Sequence, residues 1–151
     1  MNNKEKQAFD QIKTLLDSQS LGVLSTQKND QPYASLVAFA ATANLEQILF
    51  LTPNTTRKYD NLTNNAKVAL LINNSLNQAA DIYTAVAVTA TGIAATVDGL
   101  EKQTLLELYL KKHPHLQVFS TAPSTALIRV TVDRYFMVSR FQNVIEVQVT
   151  S

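Results

Sequence analysis

The stretch "TPNTTRKYDNLTNNAKVALLI", residues 52–72, sets two threonines directly before an arginine and a lysine. It reads as a loop, a short helix and a buried strand. A helix N-terminus carries partial positive charge and unpaired N–H groups, so acidic side chains are its favourable neighbours. Arg57 and Lys58 nevertheless occupy the first turn. An anion resolves the conflict. If Thr55 or Thr56 caps the helix, its hydroxyl, the following N–H groups and both cations all stabilise one negative charge, and phosphate suits such a cradle. Alternatively both side chains point into water, where the dipole penalty is only about 0.3–1 kcal/mol.

Little else in the chain suggests chemistry carried by side chains. There is no cysteine, which excludes disulfides, thiolate metal sites and a thiol nucleophile. Asp60, Asp81, Asp98 and Glu101 fall in separate elements. The three glycines, Gly22, Gly92 and Gly99, build neither a dinucleotide fingerprint nor a phosphate loop, and no serine nucleophile elbow is present. The two histidines lie in "KKHPHLQV" with a proline between them, which rules out the i, i+4 zinc pair of a continuous helix. Imidazole suits haem iron or a metal, but the sequence names no third ligand. Both histidines are therefore expected to be exposed at a helix end, where positive charge suits the dipole. No catalytic or metal-binding side chain is assigned, so a bound cofactor would have to carry any reaction.

The elements that must hold the cation pair follow from periodicity. Residues 4–18 read as a helix, with Phe9, Ile12 and Leu16 on one face. "LGVLSTQKNDQPYASLVAFAA" reads as two strands around a turn, and "ILFLT" as a third. After the cation helix and "VALLI" comes the long β-branched run "YTAVAVTATGIAATV". The helix "DGLEKQTLLELYLKK" follows, with Asp98 and Glu101 in capping positions. "TALIRVTVDRYFMVSRF" and "VIEVQV" complete the chain as strands. Six or seven short strands with few helices give a barrel or a sandwich with helices attached, in one domain over residues 1–151.

With 46% hydrophobic and 17% charged residues the chain is globular, not disordered. A net charge of +1 with scattered basic residues predicts no nucleic-acid footprint. "MNNKEKQAFDQIK" lacks a signal-peptide core, and no apolar run approaches the roughly 18 residues of a membrane span. A cytoplasmic protein is expected.

From "QPYASLVAFA" to "VALLI" the sequence resembles the pyridoxamine 5'-phosphate oxidase-like, FMN-binding split-barrel family. There a "QPY"-like entry leads into a strand lining the flavin ring, and a later strand ends in an apolar residue and Thr or Ser. "S/T-R-K" then opens the phosphate-holding helix, followed by "N-x-x-V-x-L-L". The resemblance implies a mainly β (α+β) fold, a six-stranded antiparallel Greek-key split barrel with peripheral helices. It implies that Ser35, Leu36, Val37, Ala38 and Phe39, with Leu51 and Thr52, contact the ring and ribityl chain, and that Thr56, Arg57 and Lys58 grip the phosphate. A homodimer with the cofactor at the interface is implied too. The poorly alternating run at residues 83–97 independently suggests a buried interface.

The implied function is an FMN-dependent oxidoreductase of unassigned substrate. Deazaflavin or haem are the alternative cofactors. The other functional readings are a flavin- or haem-binding sensor without turnover, and a small-barrel interaction module. Oxidation of pyridoxine phosphate itself is not expected. That enzyme has a lysine at the position of Ala40, an arginine–glutamine pair at Val86 and Ala87, and a C-terminal tryptophan and arginine without counterpart here. In the haem-utilisation branch a glycine-rich segment stands where this chain has Ser139, Arg140 and Phe141. Arg140 is expected to be an exposed strand-end residue.

Overall fold

Asn2 starts the first helix by accepting a hydrogen bond from the Glu5 N–H at 2.8 Å, an N-cap that commits α1 (Asn3–Ser18). Ala8, Ile12, Leu15 and Leu16 form its buried stripe and join the barrel core. A computed structural model describes residues 1–140 and 143–150. The chain continues into β1 (Leu21–Lys28) and β2 (Gln31–Ala41), antiparallel partners from Leu21↔Ala38 to Lys28↔Gln31. Asn29 and Asp30 connect them with φ of 52° and 62°. That is the left-handed pair a two-residue hairpin turn needs, and it explains the turn chemistry of "KNDQP".

The strands β3 (Gln47–Pro53), β4 (Lys67–Asn73), β5 (Ala87–Thr96), β6 (Thr125–Ser139) and β7 (Asn143–Gln148) follow. Their order is β3-β2-β1-β4-β5-β6-β7, and a further β3–β6 ladder from Gln47↔Thr131 to Pro53↔Thr125 closes the first six into a barrel. The β3-to-β4 connection passes over β2 and β1, a Greek-key step, and carries α2 (Arg57–Asn64). The expected six-stranded barrel is thus present, with β7 added outside it along the second half of β6. Leu24, Phe39, Phe50, Leu70, Val88, Ile128 and Tyr135 are among the side chains filling the interior. Full burial of one such residue stabilises by roughly 1.5–3 kcal/mol.

A second, smaller core lies outside the barrel. There α4 (Leu100–Lys112) lays Tyr109 against Ala40, Leu49, Leu51, Val97 and Leu127. Its start differs from expectation. Gly99, at φ 74°, takes the cap position without a side-chain bond, so Asp98 lies one residue too early to cap. Glu101 pairs instead with Arg129 at 2.9 Å. The apolar run at residues 83–97 is likewise not one strand: Tyr83 and Thr84 end the short helix α3 (Asp81–Thr84), and β5 begins at Ala87. After α4, a 3-10 turn (Pro114–Leu116) and α5 (Gln117–Thr121) lead into β6. No helix among the described residues is long and apolar enough to cross a membrane.

Candidate functional site

Thr56 is the cap of α2. Its Oγ1 accepts from the Tyr59 N–H at 3.2 Å, which leaves the Arg57 and Lys58 N–H groups directed out of the helix end. A second hydroxyl backs it: Thr52 Oγ1 lies 2.8 Å from Thr56 Oγ1, and each is 3.1 Å from the Pro53 carbonyl. Thr52 is fully buried at the end of β3, so strand and helix end are locked together. On the far side, Asn61 donates to Thr26 Oγ1 at 3.0 Å inside the structure and pins α2 onto β1.

This helix end faces an open cleft of about 600 Å³, within the range of small-molecule sites. Thr55, Thr56, Arg57, Asp60 and Asn61 line it from α2, and Lys28, Asn29, Gln31 and Tyr33 from the β1–β2 hairpin. Asp60 is the one carboxylate among these described residues, and Lys28 neutralises it at 2.6 Å. The Arg57 guanidinium lies 5.6 Å from the Tyr33 ring centroid, and among the described residues it makes no ion pair. A cation over an aromatic face, beside a helix N-terminus and a cap hydroxyl, is arranged for an anion. Lys58, half-buried, does not line the cleft. Lys28 was not singled out in the sequence, and Gln31 and Tyr33 stood there only within the "QPY" entry, with no ligand contact assigned to them. A further signal was the hairpin turn that returns Tyr33 beside Thr26.

Residues 35–39 and 51–52 lie on the two sides of one gap. β2 and β3 share only the rungs Phe39↔Phe50, Ala40↔Leu49 and Ala41↔Ile48. Before Phe39, β2 pairs with β1 alone, and after Phe50, β3 pairs with β6 alone. The barrel is split there. Val37 and Phe39 point into the core and have only backbone to offer a ligand. Leu36 is 62% exposed, Ala38 is half-buried, and the buried Ser35 Oγ has no hydrogen-bond partner among the described residues. Leu51 belongs to the core beneath α4. Of the expected residues, Thr56 and Arg57 line the cleft at the α2 end, residues 35–39 and 51–52 border the split, and Lys58 lies outside the cleft.

The histidines differ from expectation. His115 is exposed, but His113 is only 2% exposed. Its Nε2–H donates to the Phe39 carbonyl at 2.7 Å, so that nitrogen carries the proton. Proline after His113 turns the chain back onto the barrel instead of leaving the helix end in water. Next to it, Lys112 Nζ lies 4.0 Å from the Phe39 ring centroid and donates to the Leu16 carbonyl at 2.8 Å; burial pushes its ammonium down to about 8, partly offset by Asp17. Arg140 is exposed at the end of β6, as expected, while Phe141 lies outside the described residues.

Burial also lowers the His113 pKa from its ordinary 6.5, against the opposing Phe39 hydrogen bond and with help from the Lys112 and His115 charges. Below 6.5 the unfolded chain takes up a proton that the folded chain refuses, so stability falls as pH drops through that value. Thermal melts from about pH 7 to 5 should show this slope, and His113→Gln, which keeps an N–H donor, should flatten it. An identical slope in the variant would assign the pH dependence to other groups.

The profile of the family described as pyridoxamine 5'-phosphate oxidase matches residues 8–139. No curated protein sequence gives a significant match. Among solved structures, the chain resembles a heme binding protein from Mycobacterium smegmatis with TM-score 0.83 at 16% identity, over 94% of this chain and 58% of that one. It resembles a FAD-binding protein from Mesorhizobium loti (TM-score 0.70, 13% identity, 84% of this chain and 89% of that one). It also resembles HutZ, the heme storage protein of Vibrio cholerae (TM-score 0.71, 17% identity, 87% and 93%). The chain thus spans well under two thirds of the Mycobacterium protein's length, and at such identities the likeness is one of fold. With the profile running from α1 to the end of β6, over a closed split barrel, the chain belongs to the pyridoxamine 5'-phosphate oxidase family.

Proposed function

We propose that the protein is an FMN-binding flavoprotein and an oxidoreductase. The flavin phosphate is held at the α2 N-terminus by Thr56, Arg57 and Lys58, and the ring lies along the split between residues 35–39 and Leu51–Thr52. The observation that carries this reading is the Thr56-capped helix end, whose arginine has no carboxylate partner among the described residues while the cleft's own acid is neutralised by Lys28. Charge-assisted bonds from such groups to phosphate are among the strong ones. When bound, FMN supplies hydride or electron transfer at its ring. The chain's part is to anchor the phosphate, present β2 backbone to the ring and shield one face with the barrel. No protein acid or base is assigned.

The substrate differs from pyridoxine phosphate in this reading. Ala40, where a lysine would serve that substrate, is buried beneath α4 and could not host a solvated cation. Deazaflavins, which also carry a phosphate, would use the same grip. Haem is the second reading, supported by two of the fold neighbours being haem proteins. Against it, His113 Nε2 is engaged by Phe39, which leaves exposed His115 as the available imidazole. A cytoplasmic location fits the cysteine-free sequence.

The visible spectrum after soaking with FMN and desalting decides between these. Retained flavin bands support the proposal, and a Soret band in the protein as purified moves it to haem. A colourless protein that retains nothing leaves a small-barrel interaction module, for which salt-sensitive nucleic-acid binding is the check.

The proposal includes a homodimer. Leu36, Val23 and Leu71 lie side by side across β2, β1 and β4, with Leu36 62% and Leu71 38% exposed. A second copy on this row would cover apolar surface and bring its own residues next to the ring-lining strand, since Leu36 belongs to both. Leu36→Asp should shift the sedimentation coefficient to that of a monomer and weaken FMN retention. A variant that still sediments as a dimer would place the interface elsewhere.

A further inference from the structure

The cleft at the α2 end and the split do not share a wall. None of residues 35–39, Leu51 or Thr52 lines the cleft of about 600 Å³. A flavin with its ring on the split and its phosphate on Thr56 and Arg57 therefore puts only the phosphate into that space. A phosphate fills a small part of a volume that lies in the range of whole small-molecule sites. Beyond it stand Lys28, Asn29, Gln31 and Tyr33 of the hairpin, and β2 gives the direction. Tyr33 and Gln31 come two and four residues before Ser35, about 7 and 14 Å along the strand, away from the ring-lining segment. All three side chains point to one face. Ser35 ends this row with a buried Oγ that has no hydrogen-bond partner among the described residues.

The walls of this extension suit a nucleoside. Tyr33 is 38% exposed and has the Arg57 guanidinium 5.6 Å from its ring centroid, so it offers an aromatic face and a cation to a planar base. Gln31 spends one amide N–H on the Pro32 carbonyl at 3.0 Å, and its Oε1 and second N–H stay open among the described residues. An acceptor beside a donor is what an adenine edge pairs with. Charge argues against a polyanionic tail. Lys28 is held by Asp60 at 2.6 Å, so among the described residues the hairpin side has no free cation for a run of carboxylates.

We propose that the ligand continues past the phosphate as a flavin dinucleotide: its phosphates stay at the α2 end, its base stacks on Tyr33, and Gln31 reads the base edge. This rests on the flavin reading above and names the member of that class the site prefers. FMN uses the same grip but leaves the hairpin side to water. Tyr33 and Gln31 thereby set specificity for the nucleotide half, remote from the ring.

The test is calorimetric titration of the full chain with riboflavin, FMN and FAD. FAD should bind at least about tenfold more tightly than FMN, the scale of one base stacked on an aromatic ring. Tyr33→Thr, which keeps a strand-favouring residue, should lose about tenfold for FAD and far less for FMN. Gln31→Ala should lose about threefold for FAD and nothing for FMN. FMN binding as tightly as FAD overturns the dinucleotide and leaves the flavin reading standing. Equal losses for both ligands in Tyr33→Thr assign the tyrosine to Arg57 and overturn the stacking. A deazaflavin with a glutamate tail that outbinds FAD overturns the nucleoside. Binding of none of these ligands overturns the flavin reading and this ligand with it. Should Tyr33→Thr not fold, Gln31→Ala and the wild-type order of affinities decide. Fluorescence gives a check independent of affinity. Free FAD is quenched by adenine stacked on its own flavin ring, so a base held on Tyr33 should bring the emission of bound FAD to that of bound FMN. Bound FAD that stays much dimmer than bound FMN overturns the extended ligand.

Discussion

Arg57→Ala should raise the FMN dissociation constant by about tenfold to a hundredfold while leaving riboflavin affinity unchanged. The magnitude follows from a hydrogen bond to a charged group, worth about 1.5–3 kcal/mol, at 1.4 kcal/mol per tenfold. Riboflavin is the control because it lacks the phosphate that the α2 end would hold. Fold stability should barely move, since Arg57 is exposed and, among the described residues, meets only the Tyr33 ring. Lys58→Ala should cost less, because Lys58 does not line the cleft. Thr56→Val lies between: it removes the hydroxyl that caps Tyr59 and meets Thr52, so both affinity and stability fall. Isothermal titration of the two ligands against the three variants separates these outcomes. Equal loss of FMN and riboflavin affinity in Arg57→Ala would mean that the arginine acts on the ring or the fold, and unchanged FMN affinity would remove the phosphate assignment altogether.

What could be read in the sequence was local. Thr56, Arg57 and Lys58 are consecutive, and the tension between cations and helix dipole is visible without any fold. The hairpin at Asn29 and Asp30 and the stripe of α1 are equally short-range signals. What could not be read depends on register. The split exists because β3 leaves β2 after Phe50 and continues along β6, a pairing between residues about eighty positions apart. The burial of His113 depends on α4 crossing the end of β2, and that packing carries no periodic trace in "KKHPHLQV". Asp98 misled because the chain enters α4 through Gly99 in a left-handed conformation, one residue later than the capping pattern suggests. The cleft's composition was hidden for the same reason: Lys28 and Tyr33 meet α2 only after the barrel has closed.

The largest expected loss of stability comes from one methyl group, in Gly92→Ala. The β5–β6 ladder slips between Thr91↔Arg134 and Gly92↔Val132, leaving Asp133 as the extra residue of a bulge on β6. Beside that bulge the two backbones approach so closely that a Cβ on Gly92 would lie 2.2 Å from the Thr131 carbonyl oxygen and 3.0 Å from its carbon. Neither atom belongs to a side chain that could rotate away. Thr131 also pairs with Gln47 of β3, so pushing it aside disturbs the seam that closes the barrel as well as the β5–β6 ladder. A cost of about 3 kcal/mol or more is expected, against a total stability of about 5–15 kcal/mol for a domain of this kind. Gly99→Ala is the comparison. There φ is 74° and ψ −148°, but nothing lies within 4 Å, so only the backbone strain of a glycine-favouring conformation, about 1–3 kcal/mol, remains. Urea unfolding of the two variants should therefore rank Gly92→Ala far below Gly99→Ala. The reverse order would mean that β5 and β6 do not meet at this bulge. It would also remove the reason the run at residues 83–97 alternates so poorly: its central glycine marks the place where the barrel wall bends.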